Sequence, residues 1–221
     1  MPTERSNGSP RIKAVILDYG RVLSRCPTAE DFGRMAEMFN VSAESFRRLW
    51  EASRGPYDRG DLTAEEYWLK LAADTNTSLS QEQISRLRKI EVEIWSLQNP
   101  AMLDWVSQLR AAGMRTALLS NMPFDLVTHV RTSCKWMDYF TFKTFSAEVG
   151  LIKPDPAIYE HTLRGLAVSA SDTLFVDDHE TNVRAARMLG IHAIQFQNIA
   201  QLRQELEALS FPTLPRSTES S

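Results

Sequence analysis

The sequence predicts an α/β fold in which a parallel sheet is interrupted by a small all-helical insert. Three observations carry this: short apolar runs of strand length, a helix signal between successive runs, and one long stretch with helix signals and no convincing strand. The runs are Ala14 to Leu17, Thr116 to Leu119, Thr173 to Val176 and Ala193 to Phe196, with a weaker one from Phe140 to Phe145. Uninterrupted apolar runs of this length suit strands buried on both faces, as parallel strands are.

Taken in chain order, each element has a local reason. The second strand follows a helix with Asn99 as N-cap, Pro100 at the first helical position and Gly113 just past the end. Strand and helix then alternate, which describes a Rossmann-like core formed by residues 11–27 and 96–212. Residues 28–95 break the alternation and are expected to form four helices. Thr63 with Glu66 and Ser80 with Gln83 have capping-box spacing, and Ser42 can cap a helix running through Phe46, Leu49 and Trp50. Turns at Gly55–Pro56 and Arg59–Gly60–Asp61 are expected to divide the insert into two hairpins. Phe46, Trp50, Tyr67, Trp68 and Trp95 fall at helical positions and read as core packing. Residues 1–10 and 213–221 are polar and turn-rich, as flexible tails are.

Composition narrows the function classes. The chain has 221 residues, 43% of them hydrophobic and 24% charged, so it can bury a sizeable core and is no low-complexity polymer. A formal charge of -3 gives no global positive field for nucleic acid or an anionic membrane. No apolar run reaches the ~18 residues of a membrane span, and the N-terminal residues lack the apolar stretch of a secretory signal. The expected location is the cytoplasm. Cys26 and Cys134 belong to no metal-binding or disulfide pattern and read as reduced thiols.

Chemistry gathers at the strand ends. The first strand runs into Asp18, the second into Ser120–Asn121, and the one from Thr173 into Asp177–Asp178, so three strands deliver polar groups to the edge where open α/β sheets bind ligands. Between the last two lies Lys153, in LIKPDP, where Pro154 and Pro156 stiffen the approach to a helix. Each piece alone has an ordinary reading as a cap, turn or loop residue. Their order along the chain, each at a structural boundary, favours a shared site.

In that order the segments AVILDYG, TALLSN, LIKPDP and LFVDDHETN resemble the four motifs of the haloacid dehalogenase superfamily: a strand-end Asp, a strand-end Ser or Thr, a Lys and a strand-end acidic pair. The resemblance spans about residues 12–197, and the helical insert is similar in position to that family's first type of cap. The DDxxxN ending and the short cap look most like sugar-phosphate phosphatases and the phosphatase domain of soluble epoxide hydrolases. The resemblance implies Asp18 as nucleophile, Ser120, Asn121 and Lys153 around the substrate phosphate, and Mg²⁺ held by Asp18, the Gly20 carbonyl and Asp178. Asp177 and Asn182 would support them, Asn182 by orienting Asp178 or Lys153. It implies a small phosphorylated metabolite as substrate, with the cap setting specificity about hinges near Ser24 to Pro27 and Leu97 to Pro100.

Residue chemistry agrees. A phosphomonoester dianion repels an attacking carboxylate unless cations and hydrogen-bond donors neutralise it. The departure is Gly20, where most phosphatases of the superfamily carry a second Asp for acid–base work. Glycine keeps the carbonyl and loses the carboxyl, and a left-handed backbone is one reason glycine is used. His179 is the nearest substitute acid. Arg21 reads as a solvated loop residue before a substrate contact, and Arg54, Tyr57, Asp58, Arg59 and Asp61 as the loop between the two hairpins, either a plain solvated turn or the place where a cap touches the non-reacting part of the substrate. Two other functions fit the same motifs: a 2-haloacid dehalogenase, in which the carboxylate attacks carbon without a metal, and a catalytically weak phosphate-binding or regulatory protein.

Overall fold

The computed structural model describes residues 12–212. Both tails, and residue 11 of the expected core, lie outside the described residues. Strand β1 is Ala14–Leu17; the helices α1 (Ala29–Ala36), α2 (Ala43–Arg59), α3 (Ala64–Asp74) and α4 (Gln81–Trp95) follow it. Then come α5 (Pro100–Ala111), β2 (Arg115–Ser120), α6 (Phe124–Ser133), β3 (Phe142–Phe145), α7 (Ser146–Val149), α8 (Pro156–Leu166), β4 (Thr173–Asp177), α9 (Glu180–Met188), β5 (His192–Gln195) and α10 (Ile199–Ala208). The five strands form one parallel sheet in the order β3-β2-β1-β4-β5. The fold class expected from the sequence is the one observed, with strand ends differing by a residue or two.

Strand periodicity builds two layers. Val15 and Leu17 face a cluster with Trp105 of α5 and Leu202 of α10, while Ala14 and Ile16 face Ile158 of α8 and Val183 of α9. Strand order reverses about β1, which has β2 on one side and β4 on the other, so ligand-binding groups collect at its C-terminal end.

The four helices between β1 and α5 pack around an apolar cluster of their own, including Phe46, Trp50, Tyr67, Trp68, Leu87 and Ile94. Thr63 and Ser80 make the capping boxes their spacing implies, and Ser42 caps α2 by accepting from the Ser45 amide. One expectation fails. Gly55–Pro56 is no turn but part of α2, because the apolar period from Phe46 through Trp50 to the buried Tyr57 rewards continuing the helix despite a proline that forfeits one internal hydrogen bond. The helix ends at Gly60, whose φ of 87° provides the left-handed cap: the Gly60 amide donates to the Tyr57 carbonyl and the Asp61 amide to that of Pro56.

The chain leaves and re-enters the sheet side by side. Ser24 pairs with Gln98 in an antiparallel bridge, the Arg25 amide donates to Leu97 (2.7 Å), and the Asn99 amide donates to Leu23 (2.8 Å). Asn99 sits at the N-cap of α5, but its side-chain amide donates to the Val22 carbonyl instead of capping. Cys26 and Cys134 are free thiols. Among the described residues no helix is long and apolar enough to cross a membrane.

Candidate active site

The parallel sheet places Asp18 one residue past β1, Ser120 at the end of β2, and Asp177 and Asp178 at and just past the end of β4. Lys153 enters from the loop before α8, where Asp155 caps the helix by accepting from the Ala157 amide and Pro156 takes the first position. Asn121 grips the backbone of Lys153 on both sides: its Oδ1 accepts from the Lys153 amide (2.9 Å) and its Nδ2 donates to the Lys153 carbonyl (3.0 Å). The ammonium, fully buried, then reaches Asp177 Oδ2 (2.6 Å), Asp18 Oδ1 (2.8 Å) and the Leu119 carbonyl (3.0 Å). Burial acts to lower its pKa, but the Asp177 and Asp18 carboxylates outweigh burial and hold it above its ordinary value.

Asp18 is 6% exposed. Its Oδ1 accepts from Lys153 and from the Tyr19 amide (2.7 Å), and among the described residues no donor reaches Oδ2. Burial, opposed by Lys153 and reinforced by Asp177 and Asp178, pushes its pKa up to about 7. Asp178 is also raised, chiefly by burial. Asp18, Asp177 and Asp178 each offer an oxygen, and these atoms lie within 4.8 Å of one another. That density of buried carboxylate, with a single ammonium among it, fits a hard divalent cation such as Mg²⁺, with Asp18, Asp178 and the Gly20 carbonyl as its candidate oxygens.

Asn182 is placed differently from expectation. Its Nδ2 reaches both oxygens of Asp177 (3.0 and 3.1 Å), not Asp178 or Lys153, because Asp177 points inward from the strand end toward the first turn of α9. Asn182 therefore bears on Lys153 through Asp177. Tyr159 fixes that turn by donating to the Asn182 carbonyl (3.0 Å).

Arg21 is likewise no solvated loop residue. Its backbone is left-handed (φ 59°), and its guanidinium lies in the site between Asp178 Oδ2 (3.4 Å) and Glu51 Oε1 of α2 (3.3 Å). Gly20, by contrast, has an ordinary φ, and a Cβ there would meet the Trp95 ring at 3.6 Å, normal contact. His179 is mostly exposed, with Nε2 3.8 Å from Asp178 Oδ2, while its backbone amide donates to Asp177 Oδ1 (2.8 Å).

These groups open onto a cavity of about 520 Å³. Its floor includes Asp18, Ser120 and Asp178 from the strand ends and Lys153 from the loop before α8, and its roof Trp50, Arg54, Gly55 and Asp58 from α2. The residues expected in a connecting loop divide in two. Arg54, Tyr57 and Asp58 belong to the last turns of α2, Tyr57 and Asp58 buried and Arg54 partly so, whereas the side chains of Arg59 and Asp61 reach solvent and pair with each other (2.5 Å). Arg54 pairs with Asp58 (2.6 Å) and with Glu91 of α4, lying 4.4 Å above the Trp50 ring. Burial pushes Asp58 up to about 6 against the opposing pull of Arg54. Glu91 escaped the sequence reading. The signal was there: it occupies the stripe Ile84, Leu87, Glu91, Ile94, where a carboxylate needs a buried partner.

Comparison with known proteins places this geometry. Residues 6–190 match the haloacid dehalogenase-like hydrolase family. Mouse acyl-CoA dehydrogenase family member 10 is 30% identical over 217 residues, 93% of this chain and 20% of that protein. Mouse bifunctional epoxide hydrolase 2 is 31% identical over 53% of this chain and 22% of its own length, so this chain spans about a fifth of these relatives. The D-ribitol-5-phosphate phosphatase of Bacteroides thetaiotaomicron is 27% identical over 69% of this chain and 75% of its own. Among solved structures, a HAD family enzyme from Bacteroides thetaiotaomicron in complex with magnesium and inorganic phosphate superposes with a TM-score of 0.66, at 24% identity over 84% of this chain and 94% of that one. The L-2-haloacid dehalogenase of Xanthobacter autotrophicus superposes with a TM-score of 0.65, at 18% identity over 89% and 83%. At these identities the two structures speak for the fold.

Proposed function

The chain belongs to the haloacid dehalogenase-like hydrolase family, and we propose that it is a Mg²⁺-dependent phosphomonoester hydrolase acting through Asp18 on a small phosphorylated metabolite such as a sugar phosphate. The observation that carries this reading is Asp178. It stands within 4.8 Å of the nucleophile with, among the described residues, only the distant side-chain contacts of Arg21 and His179, a carboxylate for which attack on a neutral haloacid carbon has no use. The phosphatases among the relatives support it.

Bound Mg²⁺ would be held by Asp18, Asp178 and the Gly20 carbonyl and would offset the charge of the phosphate oxygens. The chain's own residues do the rest. Lys153, immobilised by Asp177, keeps Asp18 oriented and adds a second positive charge beside the phosphate. Ser120 and the backbone amides around Asn121 hold non-bridging oxygens. Oδ2 of Asp18, which no donor among the described residues occupies, attacks phosphorus as the bond to the leaving oxygen breaks, giving an aspartyl-phosphate that water hydrolyses. The helices of residues 28–95 act as the cap that excludes water from this step.

Gly20 is the observation that favours other readings, a dehalogenase or a phosphate-binding protein with little turnover. One assay set separates them: hydrolysis of an aryl phosphate with Mg²⁺ and with chelator, halide release from 2-haloacids, and phosphate binding measured calorimetrically. Chelator-sensitive phosphate release that disappears in Asp18→Asn is the expected result. Halide release indifferent to chelator, or binding without turnover, replaces the proposal.

A further inference from the structure

We propose that Ser146 is a positioning residue that ties docking of the helical insert to the geometry of the Ser120–Met122 loop. The role given to that loop rests on the phosphatase reading; the coupling itself is a matter of hydrogen bonds. Ser146, the first residue of α7, is fully buried. Its Oγ accepts from the Met122 amide (2.8 Å) and donates to the Asp58 carbonyl at the end of α2. A serine hydroxyl has one proton, so Asp58 takes its whole donor capacity.

Both partners need it. Asp58 lies in the last turn of α2, whose carbonyls have no amide ahead of them within the helix. The Gly60 and Asp61 amides serve Tyr57 and Pro56, and Ser146 serves Asp58. On the other side, Met122 directly follows Ser120 and Asn121. Asn121 is clamped to Lys153 by two hydrogen bonds, so the Met122 amide is the next fixed point along the loop. A single hydroxyl thus joins the roof of the cavity to the loop on its floor.

The surrounding contacts form a seat specific to the closed arrangement. A Cβ on Gly60 would stand 2.9 Å from the Ala147 carbonyl oxygen and 3.0 Å from the Phe124 ring, so α2 rests directly on α7 and on the start of α6. Arg88 of α4 makes a two-pronged pair with Asp125 in the same turn of α6 (2.6 and 2.8 Å). If the insert lifts, Ser146 loses the Asp58 acceptor, and the hydroxyl that fixes Met122 is free to turn. Docking would then set the Ser120–Asn121 loop, and undocking would release it.

The test uses the whole chain and two variants far apart on the seat, Ser146→Ala and Arg88→Ala, with their double. Amide hydrogen exchange at Met122 is followed by NMR without substrate, and kcat and KM are measured on an aryl phosphate with Mg²⁺. Loss of one such hydrogen bond corresponds to about tenfold in kcat for Ser146→Ala. Arg88→Ala, which touches neither Ser146 nor Met122, should speed Met122 exchange and lower kcat more than it changes KM. In the double variant the combined loss should be smaller than the product of the two. Wild-type Met122 exchange in Arg88→Ala, or effects that simply multiply, would overturn the coupling. Unfolding midpoints are taken in parallel, and if Ser146→Ala fails to fold, Met122 exchange in Arg88→Ala decides alone. Exchange needs no turnover, so a protein without phosphatase activity whose Met122 still responds refutes the phosphatase reading and leaves the coupling standing.

Discussion

Replacing Asp18 by Asn should stabilise the metal-free protein at neutral and alkaline pH while abolishing turnover. In the folded chain the Asp18 pKa is pushed from 3.8 up to about 7, chiefly by burial, with Lys153 only partly compensating. Three pH units correspond to about 4 kcal/mol. The sign follows from proton binding. An acid whose pKa is higher folded than unfolded binds its proton more tightly in the folded state, so stability falls as pH rises from about 4 to about 7 and stays low above that. Asn carries no such burden, and Lys153 keeps Asp177 and the Leu119 carbonyl as partners. The variant should match wild type near pH 4 and exceed it by up to about 4 kcal/mol at pH 8. In a domain of this size that is a rise in unfolding midpoint of roughly 10 °C. Thermal denaturation with chelator across pH 4–8, beside phosphate release with Mg²⁺, measures both halves. A variant less stable than wild type at pH 8, or a difference independent of pH, would refute the reasoning.

The acidic pair should separate under mutation. Asp177→Ala strips Lys153 and Asn182 of their shared partner and should cost about 3–5 kcal/mol in denaturant unfolding, whereas Asp178→Ala, which removes a carboxylate whose pKa burial raises, should not lower stability at neutral pH without metal and should weaken Mg²⁺ in a calorimetric titration. At Gly20 the backbone accepts a side chain and its Cβ would make ordinary contact with Trp95, so if the missing carboxyl limits the chemistry Gly20→Asp should narrow the gap between aryl and alkyl phosphates by part of the ~10²–10⁴ such groups supply. An unchanged ratio in a folded variant counts against that idea. Arg54→Ala leaves Asp58 and Glu91 buried without their cation and should cost about 3–5 kcal/mol, while Arg59→Ala, which breaks only a solvent-screened pair, should leave the same unfolding curves unmoved.

How much of this was legible in the sequence depended on whether a feature is local. Apolar runs, capping boxes and strand-end polar residues are set by neighbours in the chain, and they located the sheet, the four inserted helices and the residues now found around one cavity. What was missed depends on partners distant in sequence. Pro56 argued locally for a turn, but Trp50 and Tyr57 packing into the insert kept the helix going. Arg21 and Arg54 looked like loop arginines because their partners, Asp178 157 residues away and Glu91 37 residues away, are invisible to any local window. Asn182 was expected to reach Asp178 or Lys153 from a one-turn spacing that does not say which way each carboxylate points.

That direction is what distinguishes two adjacent and chemically identical residues. Asp177 closes β4 in register with Gln195 and is fully buried. Its two oxygens receive Lys153, the His179 amide and both approaches of Asn182, which uses up the roughly four lone-pair sites of a carboxylate. Nothing is left for a metal. Asp178, one residue on, has passed the strand end and turned toward the cavity, its backbone held there by Gln195 donating to its carbonyl (3.1 Å). Among the described residues its side chain has only contacts at 3.4 and 3.8 Å. The three carboxylates that lie close enough to share a cation therefore reduce to two that are free to do so, Asp18 and Asp178, and the third works by fixing the ammonium against Asp18. The end of β4 between them is what lets one dipeptide supply both a buried anchor, the last strand residue, and an open ligand, the first residue beyond it.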